Sequence, residues 1–331
     1  MPAVPARVLI QAVVDAISEG GGSAALISPL GQHPRRFAVT APNGNSFTLA
    51  VYIWTLTFGG RRNLADERRI QMTSVRSPLS MAQGDFTVLL GYEPNLRVFA
   101  GFDIHRHRTF TAGSPSVQVD IDALRRAETE GLAFHRKSNN EVAIGMRPDQ
   151  LLVYAATAEA FHRYGSEAAV LPLLERAATG AEIRSRDVRA LSTERRRLVE
   201  VTSRLSRLSS FKREVLFAYG HTCAVTRVQL RLVEAAHILP VGSPESADHV
   251  TNGIALSPTY HRAFDAGLIY LDERYEMRLN ASHVTEITAL GRGGGLQGFR
   301  SALGRIFLPP DRAQWPHRDF IRRANRYRRV T

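Results

Sequence analysis

Hydrophobic and polar positions change period several times along this 331-residue chain. Between residues 5 and 19, Val8, Leu9, Val13, Val14 and Ile17 recur at helical spacing, and the glycines at 20–22 end the run, which predicts a helix. Short apolar runs follow: "RRFAVT", "SFTLAVYIWTLTF", "RRIQMT", "DFTVLLGYE" and "LRVFAGFDI". Separated by Pro, Asn and Gly, they predict strands. "SVQVDIDALRRAETEG" predicts a strand running into a helix, and "NNEVAIGM" another strand. "RPDQLLVYAATAEAFHRYG" predicts a closing helix with Asp149 as N-cap and Gly165 just past its end. The pattern is that of an α+β domain over residues 1–165.

Residues 166–210 change character. Their helical, Arg-rich pattern predicts a basic linker whose charged face either lies along DNA or is simply solvated. From 211 to 331 a second unit is expected. "FKREVLFAYG" predicts a helix ending at Gly220, and "LVEAAHILP" a strand followed by a polar loop. "NGIALSPTYHRAFDAG" predicts an apolar turn feeding a helix, and "LIYLDERYEMRLN" a hairpin turning at "DERY". "GRGGG" at 291–295 reads as a flexible joint, and the Arg-rich tail as a loop and short helix. No internal repeat is found.

Composition narrows the function. Lys and Arg number 43 against 31 Asp and Glu, a formal charge of +12, which favours a polyanionic partner such as double-stranded DNA. With 44% hydrophobic residues the chain has enough apolar material for real cores. Its one cysteine, Cys223, excludes an internal disulfide or a multi-cysteine zinc site and suits a reducing cytoplasm. Cys223 is expected to be a small buried hydrophobe. No apolar run is long enough to span a membrane, and the amphipathic N-terminus does not read as a signal peptide. A phosphate-cradling Gly-rich loop with Lys is missing, as is a nucleophile elbow, so nucleotide-driven translocation and serine-hydrolase chemistry are not expected. Asp85, Glu93 and Asp103 lie near strands without the Lys of a second nuclease centre and are expected at the surface.

The chemistry gathers between residues 235 and 267, "AAHILPVGSPESADHVTNGIALSPTYHRAFDAG". Phosphodiester hydrolysis needs an activated water and a cation that neutralises charge on the phosphate and leaving oxygen. His237, ending an apolar strand, suits a general base near neutral pH. Asn252, 15 residues on, is placed to bond the backbone near the base and fix the loop. His261, 9 residues further, and Asp265, one helical turn beyond, share a helix face and suit one divalent ion: Mg²⁺, with Mn²⁺, Ni²⁺ or Zn²⁺ also accepted by such donors. Asp265 has rival roles, capping the Gly267 turn or bonding Arg262.

This ordered phrase, "AAHILP", "NGIALSPTYH" and "HRAFDAGLI", resembles the HNH endonuclease family, in its restriction-type branch. The resemblance covers about 80 residues. It implies a ββα-metal fold, with His237 as base, Asn252 as orienting residue and His261 as metal ligand. The sequence departs from the family where many members carry a metal-binding Asp or His before the base; here stands Ala236. That places weight on Asp265, with Glu234 as a weaker alternative ligand. The cysteine pairs of zinc-bearing members are also missing.

The first domain would select the substrate. "WTLTFGGRRNLADERRIQM" carries Arg61, Arg62, Arg68 and Arg69, and "GFDIHRHRTF" carries His105, Arg106 and Arg108. Arginine forks suit phosphates and guanine edges, and Trp54 or Phe102 is a candidate to stack on a displaced base. The same aromatics also suit a strand core. "GGRRNLADERRIQM" with "GYEPNLRVFAGFDIHRHRTF" is similar to N-terminal regions of predicted restriction endonucleases found beside DNA methyltransferases, which implies a cognate methyltransferase as partner. The expected fold is thus α+β: a DNA-reading domain, a basic helical linker and a C-terminal ββα-metal HNH domain. The expected function is a metal-dependent restriction-type endonuclease. Two alternatives stay open: a nuclease dependent on methylated or hydroxymethylated cytosine, and a non-catalytic DNA binder with a degenerate HNH unit. One cutting centre per chain implies a homodimer or two binding events for a double-strand cut.

Overall fold

A computed structural model of the chain describes residues 3–42, 44–59, 66–111, 113 and 115–330. It divides into two compact units, Met1–Ser209 and Ser210–Thr331.

The first unit opens with α1 (Ala6–Glu19), followed by β1 (Ser23–Leu26), β2 (Arg35–Thr40), β3 (Ser46–Thr55), β4 (Thr57–Phe58), β5 (Glu67–Gln71), β6 (Phe86–Glu93) and β7 (Val98–Phe102). Then come α2 (Ile104–His107), β8 (Ser116–Asp120), α3 (Ile121–Glu130), β9 (Leu132–Arg136), β10 (Val142–Met146), α4 (Leu151–Tyr164), α5 (Leu171–Ala178) and α6 (Ser185–Arg189). The 26-residue α7 (Thr193–Ala218) runs across the boundary of the two units. Seven strands form one sheet in the order β1-β2-β3-β6-β7-β10-β9, antiparallel except for the parallel pair β3–β6. A second sheet has the order β4-β5-β8.

β3 shows why the large sheet sits where it does. Leu49, Val51 and Ile53 point into one core with Val13 and Ile17 of α1 and Phe161 of α4. Tyr52 and Trp54 point into another with Ile70 of β5 and Val117 and Val119 of β8. Both faces are covered, so the strand is apolar almost throughout rather than alternating. Each fully buried Leu, Ile, Val or Phe contributes about 1.5–3 kcal/mol relative to exposure.

Three expectations change here. The first unit continues to Ser209 rather than ending at 165, because Val170, Leu174, Ala177, Leu198 and Val199 join its main core. The stretch expected as a linker therefore carries a buried apolar stripe beneath its charged face. Asp149 does not cap α4; it is buried and takes a bidentate ion pair from Arg147 at 2.6 and 3.1 Å. The strands β1 and β9 are additional to those expected.

The second unit contains β11 (Glu234–His237), β12 (Gly253–Leu256), α8 (Pro258–Asp265), β13 (Ile269–Leu271), β14 (Glu276–Leu279), α9 (Ala281–Ala289), α10 (Leu296–Ser301), β15 (Gly304–Arg305) and α11 (Arg318–Tyr327). The expected hairpin is β13–β14, with Tyr275 at φ 63° in its turn. "GIAL", expected as a turn, is strand β12. Its residues are all buried, so no alternation marked it. Among the described residues, no helix is long and apolar enough to cross a membrane.

Candidate active site

β11 and β12 pair antiparallel with His237 opposite Gly253 and Ala236 opposite Ile254, and α8 follows directly. This is a ββα unit. The strands pack on α7 closely: a Cβ on Gly253 would lie 2.1 Å from Val215 Cγ2. Only glycine lets the backbone approach this helix, and the same helix carries Phe211 to the site.

The His237 imidazole lies flat on the Phe211 ring, 3.8 Å between centroids at 12°. Its Nε2 is 3.0 Å from Asp248 Oδ1. With Nε2–H donating to that carboxylate, Nδ1 is the basic nitrogen, and it has no protein partner among the described residues. Burial lowers the proton affinity of His237 below that of an ordinary histidine, while the Asp248 contact opposes the shift. The ring is therefore neutral near pH 7 and ready to accept a proton.

Asn252 is fully buried and uses its amide completely. Its Oδ1 accepts from Leu239 N–H at 2.8 Å, and its Nδ2 donates to Leu239 O (3.2 Å), Ser246 Oγ (3.3 Å) and Ala247 O (3.0 Å). It pins both ends of the loop that carries Asp248 back to His237, and so positions the base without touching it.

His261 and Asp265 share one face of α8, with His261 Nε2 3.3 Å from Asp265 Oδ2. Glu234 approaches the other nitrogen, its Oε2 2.6 Å from Nδ1. The hydrogen bond from His261 holds the Glu234 carboxyl below the usual carboxylate range. Ala236 is completely buried beside Ile254, so this strand position faces the core and offers nothing to the site. Among the described residues, no three His, Cys, Asp or Glu side chains form a ready metal cage. A pair of donors on the Nε2 side of His261 still fits a hard ion that keeps several waters. Glu234, on the opposite nitrogen, fits the partner that fixes the imidazole of a metal-ligating histidine.

Three residues here were absent from the sequence reading. Asp248 and Phe211 reach His237 from a loop and from α7. Arg328, at the end of α11, stacks 4.3 Å over Phe264 and donates to Ile238 O at 2.7 Å, tying the C-terminal segment to the site's edge. The adjacent acid and apolar run in "SADHV" and "FKREVLF" were the only signals, and neither carries periodicity toward the histidine. Cys223 is buried, its sulfur accepting from Ser257 N–H at 3.2 Å.

The described residues expected to read DNA lie on separate elements of the first unit, β3, β5 and α2 with the position just after it. Arg61 and Arg62 lie outside the described residues. Arg68 and Arg69 are half-buried on β5, Arg68 with its guanidinium 6.0 Å over Phe58. His105 and Arg106 are exposed on α2, and Arg108 just after it is half-buried. Trp54 belongs to the core instead: it is 9% exposed, its Nε1 donates to Thr73 O, and His33 covers its ring at 4.4 Å. Phe102 is buried likewise. The acids expected at the surface are engaged: Glu93 is buried and accepts from Asn95 N–H, Asp85 pairs with Arg36 at 2.9 Å, and Asp103 caps α2.

Comparison with known proteins agrees with this geometry. The sequence model of the HNH endonuclease family matches residues 223–272. This chain therefore carries an HNH endonuclease domain, and the protein is a nuclease. The model described as Methylase-associated X1 matches residues 47–155, most of the large sheet. No curated protein sequence matches. Among solved structures, a modification-dependent TagI restriction endonuclease overlaps 83% of this chain and 80% of its own at 12% identity and a TM-score of 0.30, too loose an overlap to place the fold.

Proposed function

We propose that the protein is a restriction-type DNA endonuclease in which the first unit selects the site and the HNH domain cuts. The observation that carries this reading is the His237 arrangement: a neutral imidazole clamped between Phe211 and Asp248, with Nδ1 free, across from the His261–Asp265 pair. His237 Nδ1 takes a proton from water as the water oxygen attacks phosphorus, and the bond from phosphorus to the leaving sugar oxygen breaks. Asp248 stabilises the imidazolium that results and holds the ring's orientation. His261 and Asp265 would hold the divalent ion, Mg²⁺ in this reading, and Glu234 would orient His261. When bound, the ion supplies charge neutralisation at the phosphate and leaving oxygen. His105 and Arg106, exposed on α2, suit phosphate contacts.

The methylase-associated segment supports a place in a modification system, with a cognate DNA methyltransferase as partner or a modified base as the signal. Cutting both strands together calls for two such centres, hence a homodimer on DNA. The test is digestion of unmodified, 5-methylcytosine and 5-hydroxymethylcytosine phage DNA with Mg²⁺ or Mn²⁺. Discrete fragments from at least one DNA support the reading. Binding to every DNA with no cutting would leave a non-catalytic binder.

A further inference from the structure

The HNH centre carries an excess of negative charge. Asp248 lies 3.0 Å from His237, and Glu234 and Asp265 lie 2.6 and 3.3 Å from His261. A base ready to accept a proton is neutral, and so is a metal-ligating imidazole, so the histidines do not offset these acids. Three carboxylates against one divalent charge leave the centre negative. The phosphodiester that must enter brings a further negative charge, and attack on phosphorus adds more to the phosphoryl oxygens. Holding that group calls for a cation supplied by the protein.

Arg328 and Lys212 both face these acids. Arg328 faces Asp265. Its Nη1 donates to Ile238 O at 2.7 Å, its guanidinium covers Phe264, and its Nε and Nη2 are sealed from solvent. It offsets charge from within the packing and has no open donor for a substrate. Lys212 faces Glu234 and is half-buried on α7, the residue after Phe211. Among the described residues its ammonium makes no hydrogen bond and no ion pair, because the Glu234 carboxylate accepts from His261 instead. Unlike the sealed nitrogens of Arg328, the Lys212 ammonium is open to solvent.

The packing that fixes the base also fixes Lys212. α7 lies so close to β12 that only glycine fits at 253, and Phe211 lies flat on His237, 3.8 Å between centroids. Lys212 is thus tied to the site at two points, through Phe211 to the base and through the field of Glu234 to His261, with its donors unspent. Burial works against its charge and Glu234 works for it. A half-buried ammonium without a bonded partner is costly, and a phosphate oxygen supplies that partner.

We infer that Lys212 is a further catalytic residue, its ammonium donating to a non-bridging oxygen of the phosphate being cut. This rests on the endonuclease reading above and adds to it the group that carries the phosphoryl charge. Lys212 keeps its protons throughout; His237 takes the proton of the attacking water, and the bond from phosphorus to the leaving sugar oxygen breaks. The attraction grows as charge builds on the phosphoryl oxygens, so the contact acts on the rate more than on DNA affinity.

The test uses the full chain. The parent is first screened for cleavage of phage DNA with Mg²⁺ or Mn²⁺, and a duplex cut at a mapped bond is chosen. No cutting by the parent would remove the endonuclease reading and this role with it. On the chosen duplex, single-turnover rates are measured at saturating protein across a Mg²⁺ titration for the parent, Lys212→Met, Lys212→Gln and Lys212→Arg. Lys212→Met and Lys212→Gln should each slow cutting at saturating Mg²⁺ by about 10- to 100-fold, less than for an enclosed oxyanion donor because this ammonium is open to water. Their Mg²⁺ half-saturation should stay the same or fall, because a cation near the ion's ligands is gone. Lys212→Arg keeps the charge and should recover most of the rate. Thermal midpoints should be unchanged or raised, since the lost charge had no bonded partner. A role confined to supporting Glu234 would show the reverse, a higher Mg²⁺ requirement with the parent's rate once metal saturates. That pattern, or neutral variants cutting as fast as the parent at every Mg²⁺ concentration, would overturn the role of Lys212 and leave the endonuclease reading intact.

Discussion

Replacing Asp248 tests how the base is tuned. Its carboxylate lies 3.0 Å from His237 Nε2 and is the leading influence raising the proton affinity of a ring that burial otherwise depresses. Without it, His237 becomes a weaker base and loses one of the two contacts that fix its plane, keeping only the Phe211 stack. A hydrogen bond to a charged partner contributes about 1.5–3 kcal/mol. If that is lost from the imidazolium-like transition state, Asp248→Ala should slow cutting by roughly 10- to 150-fold. The sign of the pH effect follows separately. The working form is the neutral ring, so lowering its proton affinity moves the acid limb of the rate profile to lower pH. Asp248→Asn, which keeps an acceptor but no charge, should fall between. The assay is single-turnover nicking of supercoiled DNA at saturating Mg²⁺ between about pH 5 and 8. An unchanged rate in Asp248→Ala, or an acid limb moved upward, would refute the reasoning.

Further expectations follow from other contacts. Gly253→Ala places a methyl 2.1 Å from Val215 and should destabilise the second unit by about 1–3 kcal/mol, visible as a lower thermal midpoint; an unchanged midpoint would contradict the close packing. Glu234→Ala removes the partner of His261 Nδ1 and should raise the Mg²⁺ needed for half-maximal cutting by about 10- to 100-fold, with a smaller loss at saturating metal. Burial holds His33 at about 3 and His162 at about 4, below the ordinary 6.5, so the unfolded chain takes up these protons first. Stability should therefore be complete above about pH 6.5 and fall as pH drops toward 4. A flat thermal midpoint across that window would contradict this.

How far the sequence was legible differs by element. β2 shows strict alternation, buried at Phe37 and Val39 and exposed at Arg36 and Ala38, and its bounds were read directly. The HNH phrase likewise placed His237, Asn252 and His261 on a strand end, at a loop end and on a helix. β1 and β9, at 4 and 5 residues, are too short to establish a period beside stronger neighbours. The stretch 166–209 was obscured by its average charge, which hides the spaced apolar positions Leu174, Leu198 and Val199. Asp248 and Phe211 act on His237 across 11 and 26 positions, through a loop and a helix face, and no local pattern encodes such contacts. Trp54 shows the converse limit: an aromatic beside arginines suits base stacking and core packing equally until the covering ring of His33 is seen.

The central claim is that His237 activates water for strand cleavage with a divalent ion. The most direct measurement compares the parent and His237→Ala, at matched folding and DNA affinity, in single-turnover cleavage with Mg²⁺ and with EDTA. The account predicts metal-dependent cutting by the parent, abolished by EDTA, and a loss of at least about 100-fold in the variant. Equal rates for the two proteins, or cutting that persists in EDTA, would contradict it.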